Sequence, residues 1–240
     1  MTRTVALVTG AARGIGAATA LKLAAQGCTV HVSDVLDCTA TVAAIRAAGG
    51  TAHGATLDVT DRAGCAALAD RIRKAEGRLD ILVANAGICP AGRVHGDWDQ
   101  WDRVLKINAD GTQNCVAAVW DGMVAQGGGR IVLVSSMAFY QGGVTVGTEY
   151  SAAKGAIVGM TRHLARNGGP HGIRVNAVAP GIIDTDMTAN FPAPNLATVP
   201  LGRKGTAEEV AGPIAFLCGE DSAYMTGTVL NVTGGIILSA

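Results

Sequence analysis

Two hydrophobic rhythms alternate along the chain. Short aliphatic and β-branched runs occupy residues 4–8, 29–33, 51–57, 81–84, 131–135, 174–179 and 228–232. Their length and near-continuous apolar character suit strands buried on both faces. Between them lie Ala- and Leu-rich segments with helical spacing, at 15–26, 39–48, 61–76, 98–124, 151–166 and 207–218. In the first of these, Ile15, Thr19 and Leu23 share a face, and Gly27 is placed to stop the helix. The alternation predicts an α/β fold, a doubly wound parallel sheet of about seven strands with helices on both faces. No repeat or linker interrupts the pattern, so residues 1–240 are expected to form a single domain. Prolines cluster at 191–200, in a connection at about 182–205 that follows a strand's C-terminal end. Ligands bind at that edge of open α/β sheets, so a substrate loop is expected there.

Composition narrows the classes. With 49% hydrophobic and 16% charged residues, the chain has a core and is not disordered. Nineteen basic residues balance nineteen acidic ones, which leaves no electrostatic footprint for nucleic acid. The six cysteines, at 28, 38, 65, 89, 115 and 218, form no C-x-x-C pair and have no local His cluster, so no metal site is expected. No apolar run approaches the roughly 18 residues of a membrane span. The N-terminal residues read as a strand rather than a secretion signal. A cytoplasmic protein with reduced thiols and no membrane partner is expected.

The candidate chemistry begins after the first strand, at Thr9-Gly10-Ala11-Ala12-Arg13-Gly14-Ile15-Gly16. Gly10 suits a tight turn, Gly14 leaves room for a pyrophosphate, and Gly16 allows close helix–sheet packing. The helix that follows presents free N–H groups and a positive dipole end to phosphate. Asp34 closes the second strand, where a carboxylate can accept hydrogen bonds from adenosine ribose hydroxyls. Further on, Tyr150 and Lys154 are spaced one helical turn apart. A free phenol ionises near ~10, and an adjacent ammonium is expected to lower that value enough for proton exchange with an alcohol or carbonyl.

Together these residues resemble the classical short-chain dehydrogenase/reductase family, and the resemblance spans the chain. It rests on the Thr9–Gly16 turn, Asp58, Asn85-Ala86-Gly87, Asn108, Ser136, Tyr150, Lys154 and Pro180-Gly181. The family implies a Rossmann-type domain, a nicotinamide cofactor and hydride transfer at a carbonyl carbon. It implies Tyr150 as acid/base, Ser136 as hydrogen-bond partner of the reacting oxygen, and Lys154 on the nicotinamide ribose. Asn108 would hold a water linking Lys154 to solvent. Gly10, Arg13, Gly14, Ile15, Gly16, Asp34, Asp58, Val59, Asn85, Ala86, Gly87, Pro180, Gly181, Ile183 and Thr185 would line the cofactor. A homotetramer built through the two long helices is implied as well.

Two departures from the family pattern matter. Ala84 stands where a second Asn is usual, and Ser136 lies 14 residues before Tyr150, one more than the common spacing. Met137 occupies the common position and lacks a hydroxyl. The extra residue is expected in the loop at 141–147, with Ser135 as the lesser alternative because neighbouring strand residues face opposite sides. The pattern is similar to 3-oxoacyl carrier-protein reductases, notably at 176–188 and 231–235. The basic residues those enzymes use for the carrier protein are replaced by Gln126-Gly127 and His171.

Candidate pocket residues Pro90, Val94, His95, Met137, Phe139, Val144, Met187 and Phe191 suit a small or medium, partly apolar secondary alcohol or ketone. Arg93 has the charge to meet a substrate carboxylate, though an exposed loop Arg is usually solvated. Three functions stay open: an NAD-dependent alcohol, hydroxy-acid or polyol dehydrogenase; a 3-oxoacyl thioester reductase; and a catalytically silent nucleotide binder. Asp34 favours NAD over NADP, because a 2′-phosphate would sit against its carboxylate and no Arg follows before Arg46.

Overall fold

The computed structural model describes residues 3–91, 97–143, 146–189 and 191–238. Seven strands, β1 (Val5–Thr9), β2 (Thr29–Asp34), β3 (Thr51–Thr56), β4 (Ile81–Ala84), β5 (Gly129–Val134), β6 (Ile173–Pro180) and β7 (Val229–Val232), form one sheet. Its order is β3-β2-β1-β4-β5-β6-β7 and every pairing is parallel. The order reverses between β1 and β4, which opens a crevice beyond their C-terminal ends.

Strand alternation builds two cores. Ala6, Val8, Val30, Val32 and Val132 face one layer and pack with Leu23 of α1 (Gly14–Ala25), Ile45 of α2 (Thr39–Ala47) and Ile214 of a later helix, Ala207–Cys218. Val5, Leu7, Leu82, Ile131 and Leu133 face the other. There they meet Ile72 of α3 (Arg62–Glu76), Val119 of a helix at Gly111–Ala125 and Ile157 of a helix at Thr148–Gly168. The fold is therefore the expected doubly wound α/β domain, and Gly27 ends α1 with φ +89°.

The expected helix at 98–124 is two helices. α4 (Trp98–Leu105) and α5 (Gly111–Ala125) are joined by a wide π-helical turn, Lys106–Asp110. Apolar spacing does not register one extra residue per turn. A short helix α6 (Ala138–Gln141) follows β5, and α7 (Thr148–Gly168) starts three residues earlier than its apolar pattern suggests. In α8 (Ala207–Cys218), Thr206 and Glu209 form a reciprocal capping box.

Candidate active site

The glycine turn between β1 and α1 is braced from β4. Gly10 and Gly14 have φ of +65° and +57°, which L side chains rarely adopt. A Cβ on Gly16 would lie 2.1 Å from the Gly10 carbonyl oxygen, so only glycine lets α1 start this close to the turn. The Asn85 amide donates to the carbonyls of Thr9 (3.0 Å) and Gly10 (2.9 Å), and Thr9 Oγ1 accepts from the backbone of Asn85 and Ala86. Asn85 is thus spent on the turn itself. Asp34 braces it from the other side, accepting from Ala12 N at 3.0 Å and Leu36 N at 3.1 Å. No side chain caps the α1 N-terminus, and a Cβ on Gly14 would meet only Thr185, at 3.7 Å. Free N–H groups facing open space fit a dinucleotide pyrophosphate. Ile15 packs on the core beneath.

Cations near this turn are otherwise engaged. Arg13 pairs with Asp186 at 3.1 Å across the crevice, both side chains exposed. The Arg46 guanidinium donates to the Ala52 carbonyl. Beyond β3, Asp58 is exposed and accepts from the backbone and hydroxyl of Thr60, which hold its carboxyl below the ordinary range. Val59 is buried beside it, against Gly111.

At the ends of β4 and β5 the polar residues converge. The Ser136 hydroxyl accepts from Ala138 N at 3.2 Å and lies near enough to the buried Tyr150 phenol to favour its ionised form. Ser135 faces away and donates to the Lys154 carbonyl at 2.8 Å. Lys154 is 4% exposed. Its Nζ donates to the Val134 carbonyl at 2.8 Å and lies 5.6 Å from the Tyr150 ring centroid. Burial pulls the ammonium down to about 8.

The phenol departs from expectation. Burial raises its pKa, with the adjacent Cys89 adding to the rise and Ser136 opposing it. The Lys154 ammonium hydrogen-bonds the β5 end instead of the phenol, so it does not set the direction.

Asn108 occupies the π-helical turn, where its amide accepts from Ile88 N (3.1 Å) and donates to the carbonyls of Ile88 and Val104. π-turns recur at functional sites because they re-aim one residue. Between Asn108 and Lys154 lies Gly87: a Cβ there would be 2.4 Å from Asn108 Oδ1 and 3.5 Å from Lys154 Nζ. Asn108 fills the space a side chain would need, so only glycine lets the backbone pass this close to both groups. Cys89, which the motif reading passed over, sits against Tyr150, its thiol pushed up to about 11 by burial. It carries no sequence signal, being one apolar-sized residue in a loop.

The β6 end completes the crevice. The Pro180 carbonyl accepts from Met137 N at 2.9 Å, and a Cβ on Gly181 would meet Thr233 Cα at 2.8 Å. Ile183 is buried and bridges Gly205, and Thr185 reaches the glycine turn at Gly14. Met137 and Phe139 flank the Ser136 end, half-buried, while Met187 is exposed. Arg93, Val94, His95 and Val144 lie outside the described residues.

A family model described as enoyl-(acyl carrier protein) reductase matches residues 10–237. The chain belongs to the classical short-chain dehydrogenase/reductase family. It is 41% identical to a 3-oxoacyl-[acyl-carrier-protein] reductase of Synechocystis sp., covering 99% of this chain and 98% of that one. It is 44% identical to a cis-4-hydroxycyclohexanecarboxylate dehydrogenase of Sinomonas cyclohexanicum, covering 96% and 95%. A solved structure of a putative NAD(P) dependent gluconate 5-dehydrogenase from Beutenbergia cavernae, with bound NADP, superposes with a TM-score of 0.91. That protein is 36% identical, over 97% of this chain and 96% of its own. The protein is therefore an oxidoreductase of a family that uses a nicotinamide cofactor.

Proposed function

We propose that the chain interconverts a small or medium, partly apolar secondary alcohol and its ketone using NAD(H), hydroxy acids and polyols included. The observation that carries this reading is the convergence of Ser136, Tyr150 and Lys154 at the sheet's C-terminal edge, next to Gly87 and Asn108. A bound nicotinamide dinucleotide supplies the hydride acceptor or donor. Gly10, Arg13, Gly14, Ile15 and Gly16 shape its pyrophosphate seat, Asp34 takes the adenosine ribose, and Asp58 and Val59 flank the adenine. Asn85, Ala86 and Gly87 floor the central part of the seat, and Pro180, Gly181, Ile183 and Thr185 border its nicotinamide end.

Tyr150 passes a proton to the substrate oxygen in reduction and removes it in oxidation. Burial keeps the phenol protonated, the form that donates to a ketone oxygen. Ser136 donates a hydrogen bond to the same oxygen and steadies its developing charge. Lys154 holds the nicotinamide ribose, and its charge offsets that of the phenolate formed in turnover. Asn108 positions the Ile88 backbone beside this group and serves the proton route from Lys154. The loop at 182–205 closes the substrate side.

NAD preference rests on Asp34 at the ribose end, with the Arg46 guanidinium tied to the Ala52 carbonyl. The six unpaired cysteines suit the reducing cytoplasm. Exposed Leu201 and Leu238 suit burial in a homotetramer. A second reading, 3-oxoacyl thioester reduction, draws on the Synechocystis relative.

A panel of ketones, hydroxy acids and 3-oxoacyl thioesters, each assayed with NADH or NADPH, or with the oxidised coenzymes for alcohols, separates the readings. Turnover on unactivated ketones or alcohols with NAD(H) is expected. Turnover confined to thioesters would transfer the function to the second reading, and none on any substrate would favour a silent member. For Asp34→Ala, kcat/KM should move toward NADP(H). An unmoved ratio would remove Asp34 as the cause.

A further inference from the structure

We propose that His31, His53 and Glu76 form a binding site for one divalent first-row transition-metal ion, zinc being the probe of choice. The site lies on the face of the sheet covered by α3, away from every residue assigned to the coenzyme. It draws one ligand from each of three elements. His31 and His53 stand directly opposite each other on β2 and β3, and their rings stack at 4.8 Å with 23° between planes. Glu76 is the last residue of α3, which Gly77 ends in the left-handed conformation.

The geometry converges on a point. Both Nε2 atoms face the same carboxylate oxygen, His31 at 3.0 Å and His53 at 3.8 Å from Glu76 Oε1. All three ligand atoms lie within 4.8 Å of one another. Around a tetrahedral ion with bonds of about 2.0–2.1 Å, neighbouring ligand atoms are separated by roughly 3.3 Å. The observed separations straddle that value, so small ring rotations seat the ion.

The chemistry also fits. Two imidazoles and one carboxylate suit zinc, with a fourth position open to water. Burial lowers the His31 pKa, and Arg71 and His53 push the same way against Glu76. In the free protein Nε2–H donates to Glu76, and the ion would take that nitrogen's electron pair as its proton leaves to solvent. The His31 side chain is 12% exposed and that of Glu76 23%, whereas His53 is 50% exposed and leaves an entry path. A hydrogen-bonded His31–Glu76 pair bracing the sheet would account for the shorter contact. It gives no reason for a second imidazole stacked on the first and turned to the same oxygen. The ion would join edge strand β3 to β2 and α3, a link between parts that sequence spacing does not reveal, since 45 residues separate His31 from Glu76.

The test uses the full-length protein, stripped of metal by a chelator. Titration with ZnCl2, in competition with a chromophoric chelator at about pH 7.5, should give one equivalent bound, because neutral imidazole and carboxylate are the ligating forms. His53→Gln and Glu76→Gln should each weaken binding by about tenfold or more. At a hundredfold excess over the wild-type Kd, zinc should raise the wild-type Tm by about 5–10 °C and the variants' by no more than about half of that. Cobalt(II) should give the visible bands of a four-coordinate site in wild type alone. Both substitutions are at partly exposed positions, and unchanged circular dichroism would show that the variants fold. If either proves unfolded, His53→Ala read by the same competition takes its place. No zinc bound at micromolar concentration, or binding that survives these substitutions, would overturn the proposal.

Discussion

Replacing Lys154 by Met removes a buried charge while keeping an unbranched chain. The structure sets both the sign and the size of the effect on stability. In the folded protein burial pulls the Lys154 ammonium from 10.5 down to about 8. The unfolded chain therefore binds more protons than the folded one between those values, so stability rises with pH through that window. Below about 8 the cost of holding the charge is felt in full. Between about pH 7 and pH 10 the relief amounts to about 2–3 kcal/mol, since each tenfold change in proton affinity is worth about 1.4 kcal/mol. Met at this position has no such relief. It also leaves the Val134 carbonyl without its donor, an offset of about 1–3 kcal/mol that does not change with pH. The slope is therefore diagnostic and the offset is not. Cys89, whose thiol is pushed up to about 11, stays mostly protonated below pH 10 in both folded proteins and largely cancels in the comparison. Urea unfolding of both coenzyme-free proteins, followed by circular dichroism across this range, measures the difference. Wild type should gain on Lys154→Met by about 2–3 kcal/mol toward pH 10. A difference flat to within about 0.5 kcal/mol would show that the folded protein does not hold Lys154 charged against burial.

Tyr150→Phe should lower turnover about 100- to 10,000-fold while dinucleotide still binds by fluorescence titration, and retention of more than about a tenth of the rate would remove the phenol from proton transfer. Ser136→Ala should cost more in kcat than Ser135→Ala, because Ser136 faces Tyr150 and Ser135 is tied to the Lys154 carbonyl. The reverse order in steady-state kinetics would exchange the two assignments. Gly16→Ala forces a Cβ against the Gly10 carbonyl and should destabilise by about 1–3 kcal/mol, read as a Tm lower by about 2–12 °C. An unchanged Tm would mean that the turn yields freely.

The strands and most helices were legible because burial writes them into the sequence. Val30 and Val32 face one core and Leu7 and Leu82 the other, and that division shows as continuous apolar runs. The glycine turn was legible for a steric reason, since a Cβ at Gly10 or Gly16 would strike backbone. The π-turn around Asn108 was not, because it is fixed by the side-chain bonds of Asn108 to Ile88 and Val104 and not by any apolar period. The direction of the Tyr150 shift was hidden too. Spacing places Lys154 one turn away but says nothing of how deeply both groups are buried, or that the ammonium turns to Val134. His31 and His53 look like isolated polar residues until strand pairing sets them side by side.

The strand order also governs how the chain is made. β1 receives β2 on one side within a few turns of synthesis, but its other neighbour is β4, and the bond from Val5 N to the Asp80 carboxylate joins residues 75 apart. At about 5–20 residues per second, a ribosome takes roughly 4–15 s to deliver that partner. During this interval β1, which is to become an interior strand of the finished sheet, is an edge with unsatisfied backbone groups. Ala6, Leu7 and Val8, which later pair with Ile81, Leu82 and Val83, then form an apolar edge open to other nascent chains. The arrangement that places the glycine turn at the crevice thus leaves the first strand waiting, half-paired, until the fourth has been made.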